Sequence, residues 1–298
     1  MTNLEIEAFQ AIMHYGNIST AAEFLFISQP ALSMRIRNLE NELGCELFIR
    51  RRGIRNIELT EAGKRFVPLA ERWHSFWSDI QMLPVSQGII PFRVSSLNSI
   101  SCALLPKVLS NFIKIDPDIS LQTEDLASLS AYDAIESRLI DFALVVDKRY
   151  SIQAINNPLF TEPLFFVCNK ESALPDIVAP SALDTHNELY CPWFLEFEQW
   201  HRLWFGRDAK PQIQIQILHL LLYFLQTPDA WSIVPASLYE MLRPLPYITK
   251  KSMTVEIPNR TISYLTPEGS KSHHLETFLD CLYQELKQAE NNGILKLC

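Results

Sequence analysis

Leu4, Ala8, Phe9 and Ile12 recur at helical spacing and predict a first helix, which Gly16 stops within residues 14–17. Ala21, Ala22 and Leu25 predict a second, short helix capped by Ser19 or Thr20. A third is predicted over 29–43: Ser28 caps it, Pro30 sits in the first turn where its missing N–H costs nothing, and Leu32, Ile36, Leu39 and Leu43 face inward. Gln29, Ser33, Arg35 and Arg37 are left on the outer side. Two helices joined by a tight turn, the second polar and basic outside, describe a helix-turn-helix whose second helix suits a major groove. From spacing alone, a small bundle with a solvated face fits equally well.

Arg50, Arg51, Arg52 and Arg55 then crowd a turn at Gly53 before the short strand IELT, the pattern of a β-hairpin wing whose tip touches DNA backbone or minor groove. Phe66, Trp73 and Ile80 repeat every seven residues, as do Ala70 with Trp77, and Leu69, Phe76 and Leu83. This predicts a linker helix over 61–84 with a dimerisation seam; packing on its own domain is the alternative. Pro68 should kink it. Residues 84–91, PVSQGIIP, read as a hinge.

Strand and helix patterns alternate beyond Pro91. Strands are expected at FRVSSL, ISLQTE, IDFALVV, LFFVCNK, QIQIQ, WSIVP and RTISYL, and helices over 101–115, 128–139 and 275–288. The rhythm is that of a parallel α/β sheet. ILHLLLYFLQ, the most apolar window, is too short to span a bilayer and reads as a buried helix.

The net charge of −8 seems wrong for a nucleic-acid binder until it is mapped. Residues 35–65 hold eight basic and five acidic side chains, whereas residues 86–298 hold 17 basic against 24 acidic. Positive charge is thus local, on an acidic body. The six cysteines are scattered without a CxxC, which argues against zinc or a disulfide framework and fits a reducing cytoplasm. No signal peptide or membrane span is visible, so the expected location is cytoplasmic.

Ligands in open α/β folds sit where strands end and helices begin. SLNSIS over 96–101 opens a helix after the first strand and makes Ser99, Ile100 and Ser101 candidates for holding an anion; plain N-capping is the alternative. Ser128 opens the next helix the same way. CPWFLEFEQWHRLWF over 191–205 is unusually aromatic, so Trp193 could wall a pocket, although Trp200, Leu203 and Trp204 equally suit a core or an interface. His201 is expected on the surface, and His273–His274 is not expected to bind metal. No GxSxG, Walker A, HExxH or GxGxxG appears and no catalytic constellation stands out, so neither enzyme activity nor a cofactor or metal is expected.

The residues AAEFLFISQPALSMRIRNLENELGCELFIR, followed by LTEAG, resemble the N-terminal signature of the LysR-type transcriptional regulators. Ala21, Ala22, residues 28–33, Ile36, Leu39, Glu40, Leu43, Gly44, Leu47, Phe48, Arg50, Leu59, Thr60, Ala62 and Gly63 carry the match; the arginine-rich wing is longer than the commonest form. The resemblance implies a winged helix-turn-helix over 1–60, the linker helix, a hinge over 85–91 and an α/β effector domain with two lobes like those of periplasmic binding proteins. Lobe I would comprise 92–160 plus 266–298 and lobe II 161–265, with crossovers at Thr161–Pro163 and Thr266–Pro267. It also implies double-stranded DNA with an imperfect inverted repeat as partner, a homodimer or homotetramer, and a small-molecule effector touching Ser99 and Ser128. DNA contacts are expected from Gln29, Pro30, Ser33, Arg35, Arg37, Arg50, Arg51, Arg52 and Arg55. Where the family has a glycine-bearing turn, this chain has Pro228–Trp231, so Trp231 is expected to fill or line the cleft. An enzyme or solute-binding module with a regulatory DNA-binding head is one alternative, and an architectural DNA-binding protein that needs no ligand is another.

Overall fold

In the computed structural model, residues 1–49, 58–82, 90–206, 209–211, 213–270 and 272–298 are described. Arg50, Arg51, Arg52 and Arg55, and residues 85–89 of the expected hinge, lie outside them. The chain divides into two compact units, Met1–Ile89 with Ser137–Leu139, and Ile90–Glu136 with Ile140–Cys298.

The first unit begins with α1 (Asn3–Tyr15), ended by Gly16 at φ 72°, then α2 (Ile18–Phe24) and α3 (Gln29–Leu43). Asn17, rather than Ser19 or Thr20, caps α2: its side chain accepts from Thr20 N at 2.7 Å. An amide oxygen one residue before the helix reaches that N–H, so the helix starts earlier than the hydroxyls suggested. Ser28 caps α3 as expected, accepting from Ala31 N. Ile6, Phe9, Ile12, Ala21, Ala22, Leu32, Ile36 and Leu39 form one core, but Leu43, expected inside, is 38% exposed at the last turn.

The turn between α2 and α3 is a Schellman motif. Ile27 N donates to Ala22 O at 3.0 Å and Phe26 N to Glu23 O at 3.1 Å. The position that must turn left-handed, usually glycine, is Phe26 at φ 54°. For a side chain with a Cβ that conformation costs about 1–2 kcal/mol.

β1 (Phe48–Ile49) and β2 (Glu58–Leu59) pair antiparallel as the base of the expected wing. Glu40, buried in α3, accepts from Leu47 N at 2.9 Å and Phe48 N at 3.3 Å, which ties the hairpin to the helix. Thr60 Oγ1 donates to Glu46 O at 2.6 Å and accepts from Gly63 N at 2.9 Å, so the LTEAG segment clamps α4 (Glu61–Met82) to the same hairpin.

α4 carries Pro68 inside it, leaving the Lys64 carbonyl without its helical partner. Phe66 and Ala70 are buried in the core of the first unit, and Trp73 packs on that core while donating to Asn3 Oδ1 at 3.2 Å. The expected seam of Phe66, Trp73 and Ile80 is therefore divided: its first two members serve their own domain. Leu69, 52% exposed, and Ile80, 36% exposed, remain available.

Among the described residues the second unit holds two large sheets and one two-stranded pair. The first contains β3 (Ile90–Ser95), β4 (Ile119–Glu124), β5 (Phe142–Val145), β6 (Ala154–Glu162), β13 (Arg260–Pro267) and β14 (Lys296–Leu297), in the order β14-β6-β13-β5-β3-β4. It is mixed rather than parallel: β3 runs parallel to β4 and β5, while β13 runs antiparallel to β5 and β6. Helices α5 (Asn98–Ala103), α6 (Leu105–Ile115), α7 (Ser128–Glu136) and α11 (His273–Asn291) belong with it. The helix expected over 101–115 breaks at Leu104, because Pro106 cannot extend a preceding helix. Phe92, Phe112, Phe142 and Phe278 meet in its core.

The second sheet, in the order β11-β7-β12-β8, contains β7 (Leu164–Asn169), β8 (Ile177–Val178), β11 (Trp231–Pro235) and β12 (Ile248–Met253). Around it lie the parallel pair β9 (Leu189–Tyr190) and β10 (Ile213–Gln214), with α8 (Leu195–Phe205), α9 (Leu218–Phe224) and α10 (Ala236–Leu242). QIQIQ contributes only two strand residues. α9 is not wholly buried: Leu220 and Tyr223 face outward while Leu218 and Leu221 join the core. The chain leaves the first sheet at Glu162 and enters the second at Leu164. It returns between Met253 and Arg260, not at Thr266–Pro267, because β13 pairs with β6 from Arg260 onward.

A Cβ on Gly63 would lie 2.1 Å from the Leu47 carbonyl oxygen and 2.8 Å from Leu59 Cδ2. Gly63→Ala should therefore lower stability by about 1–3 kcal/mol in a urea titration; an unchanged midpoint would show that α4 is not clamped there.

Candidate functional site

The outer surface of α3 is the first candidate. Gln29, Pro30 and Arg37 are exposed, and Ser33 and Arg35 are half-buried. Gln29, Ser33 and Arg37 follow one another in four-residue steps along one flank, as neighbours on a helix do. Arg35 stands two residues from Ser33 and falls on the opposite flank, so the expected set does not share a single face.

The second candidate is a cavity of about 370 Å³ in the second unit, lined on one side by Leu97, Asn98, Ser99, Asp125, Leu126 and Ala127, and on the other by Cys191, Pro192, Trp193, Ile215, Gln216 and Leu218, with Arg260. Arg260 is only 1% exposed and Glu162, directly opposite it on β6, is fully buried. Arg260 Nε donates to Glu162 Oε1 at 2.8 Å and Nη1 donates to Ser99 Oγ at 2.9 Å. The other Glu162 oxygen accepts from Ser237 N, at the start of α10, at 2.7 Å. Arg260 Nη2 lies 2.7 Å from Glu162 Oε1 but makes no aligned hydrogen bond with any described residue. The guanidinium also sits 5.7 Å from the Trp193 ring centre. Trp193 is fixed by its own N–H, which donates to Ile233 O at 2.6 Å.

At the cavity mouth Asn98 donates to exposed Asp125 at 2.8 Å. Burial pushes the Cys191 thiol up to about 12, so at neutral pH it is a neutral side chain and not a reactive thiolate. Among the described residues no group of three or more His, Cys, Asp or Glu side chains is placed to hold a metal ion.

Of the expected effector residues, the fold brings Ser99 and Trp193 together on the cavity wall. Ile100 is buried in the first core beside them, and Ser101 is half-buried on α5; neither lines the cavity. Ser128 Oγ instead accepts from Val146 N and Asp147 N, both at 3.2 Å, and so holds the end of β5. Trp231 does not line the cleft: it is buried against Phe166 and Phe205 and donates to Asp184 O at 3.0 Å. His201 is not a surface residue. It is buried, with Nε2 2.8 Å from Glu188 Oε1, among Tyr190, Phe197 and Phe205. Burial raises the Glu188 carboxyl above the usual range, while His201 pulls it back. Sequence reasoning missed Arg260 and Glu162. The available signal was the alternation of RTISYLTP, which buries position 260 with Ile262.

Residues 4–64 match the family described as bacterial regulatory helix-turn-helix protein, lysR family, and residues 91–287 match the LysR substrate binding domain. The chain belongs to the LysR family: it is a DNA-binding transcriptional regulator with a substrate-binding effector domain. It is 26% identical over 226 residues, 72% of either chain, to the HTH-type transcriptional regulator YtlI of Bacillus subtilis (strain 168). Over 146 residues it is 30% identical to CysB of Haemophilus influenzae, a stretch covering 45% of this chain and 42% of that one. These relatives are regulators, not enzymes. In fold it is similar to CbnR, a LysR family transcriptional regulator, at a TM-score of 0.66 and 18% identity, covering 96% of this chain and 99% of that one. No helix among the described residues is long and apolar enough to cross a membrane.

Arg260→Met would strand the buried Glu162 carboxylate and should cost about 3–5 kcal/mol in denaturant unfolding. Adding Glu162→Gln should recover most of that loss; a double variant no more stable than the single one would show that the charges are not coupled.

Proposed function

We propose that the cavity beside Arg260 binds a small effector carrying a strong hydrogen-bond acceptor, a carboxylate above all, joined to an apolar or aromatic part. The observation that carries this reading is the Arg260 guanidinium on the cavity wall, held between Glu162 and Ser99 and lying 5.7 Å from the Trp193 ring centre. An acceptor placed there would meet a fixed donor in a largely apolar enclosure, as small-molecule sites require. Ser99 stands at the start of α5, and Glu162 ties Arg260 to Ser237 at the start of α10. An effector that draws on Arg260 or Ser99 would bias contacts reaching both sheets, and so shift the population of lobe arrangements. The effector lobes in this reading divide near Pro163 and again between Met253 and Arg260, after a head over 1–60 and a linker over 61–84.

The regulator works in the cytoplasm, on imperfect inverted repeats, as a homodimer or a tetramer built from dimers. Leu69 and Ile80 on α4 support that assembly, since they remain exposed once Phe66 and Ala70 are spent on the head. Gln29, Pro30, Ser33 and Arg37 read base edges, and Arg35 holds backbone on the other flank.

A thermal-shift screen of small carboxylates against the full-length protein tests the effector reading. A ligand at 100 times its Kd should add about 2.7 kcal/mol, and Ser99→Ala should weaken it about tenfold. Binding confined to cations, or equal affinity in Ser99→Ala, would remove this site. For assembly, Leu69→Glu should lower the sedimenting mass while the head stays folded, whereas Trp73→Glu should unfold the head. A Leu69→Glu chain that remains a dimer would place the interface elsewhere.

A further inference from the structure

We propose that Phe26 is a DNA-contacting residue that packs its ring against deoxyribose at the edge of the groove entered by α3. This rests on the assignment of α3 as the groove-entering helix.

Phe26 occupies the left-handed position of the turn between α2 and α3, at φ 54°. Its backbone N–H donates one of the two bonds that end α2 and Ile27 N–H donates the other, and any residue at position 26 could do the same. Glycine or asparagine would do so with less strain. A bulky ring is the costly choice here, and within the chain it gains nothing: Phe26 is 95% exposed and belongs to no core. Its neighbours behave differently. The Phe24 ring packs tilted against Tyr15, with centres 4.9 Å apart, and Ile27 packs on the core. A partner outside the chain would account for both the strain and the exposure.

The place of Phe26 names that partner. It stands two residues before the Ser28 cap of α3, and Gln29 is exposed on the first turn. When a recognition helix enters the major groove end-on, the turn before it comes to the rim formed by the sugar–phosphate backbone. A phenyl ring there has no charge or hydrogen bond to offer a phosphate. Its match is the apolar face of deoxyribose. Such a contact is independent of sequence and displaces no counterion.

That chemistry sets the test. The full-length protein is used with two probes: a random-sequence duplex, and the duplex it selects for itself from a random library. Phe26→Asn keeps a side chain that tolerates the left-handed turn, so the melting temperature should hold or rise. Affinity should fall about tenfold on both duplexes by the same factor, with the slope of log K against log salt unchanged. Phe26→Trp should retain affinity. Gln29→Ala should instead lose the selected duplex and spare the random one, which separates failure of this proposal from failure of the α3 assignment. Unchanged affinity in Phe26→Asn would overturn the proposal, as would a lower melting temperature, a loss confined to the selected duplex or a changed salt slope.

Discussion

The pairing of Arg260 with Glu162 is the constraint on which the second unit turns. Two opposite charges, almost wholly removed from water, face each other across β6 and β13 where both strands leave the first sheet. Taking them out of solvent costs several kcal/mol per ion unless the remaining hydrogen-bonding capacity is met. Here Ser99 meets one part of it from α5 and the Ser237 amide another from α10. One guanidinium therefore determines which helix starts stand side by side, and Trp193 closes over it. The cavity is the space left beside that arrangement.

The amino-terminal unit depends on a different economy. Its core is small, so most of α4's first three turns are spent in completing it. Phe66 and Ala70 fill the gap left by α1 and the hairpin, and Trp73 reaches Asn3. A heptad pattern cannot distinguish a helix that packs on its own domain from one that packs on a second copy, because both bury the same period. What separates them is which stripe the chain itself has already covered.

Legibility followed the reach of the interactions. The helix-turn-helix could be read because Ser28, Pro30 and Gly16 act within a turn of their own positions, and its apolar periods are uninterrupted. The mixed sheet could not, since the direction of β13 is decided by β6, about a hundred residues earlier. Arg260, Glu162 and Glu188 went unnoticed, and His201 was expected on the surface, because their partners lie on other elements of the fold and a buried charge has no local signature. Ser128 misled in the opposite sense. A serine at a helix start is the right residue for an anion, but here the backbone at the end of β5 claims both lone pairs. Trp231 behaves similarly; its indole is absorbed by Phe166, Phe205 and the Asp184 carbonyl.

The clamp at Thr60 and Gly63 has a mechanical consequence. With the Leu47 carbonyl pressed against the start of α4, and Glu40 holding the same hairpin to α3, direct contacts run from the linker to α3. A helix of 22 residues is a lever about 33 Å long. Tilting it by about ten degrees would sweep its far end through roughly 6 Å, and the clamp would pass the rotation of its first turns to α3. In a pair of such heads, small angular changes at the levers would be read as changes in the spacing of the two grooves the protein can hold at once.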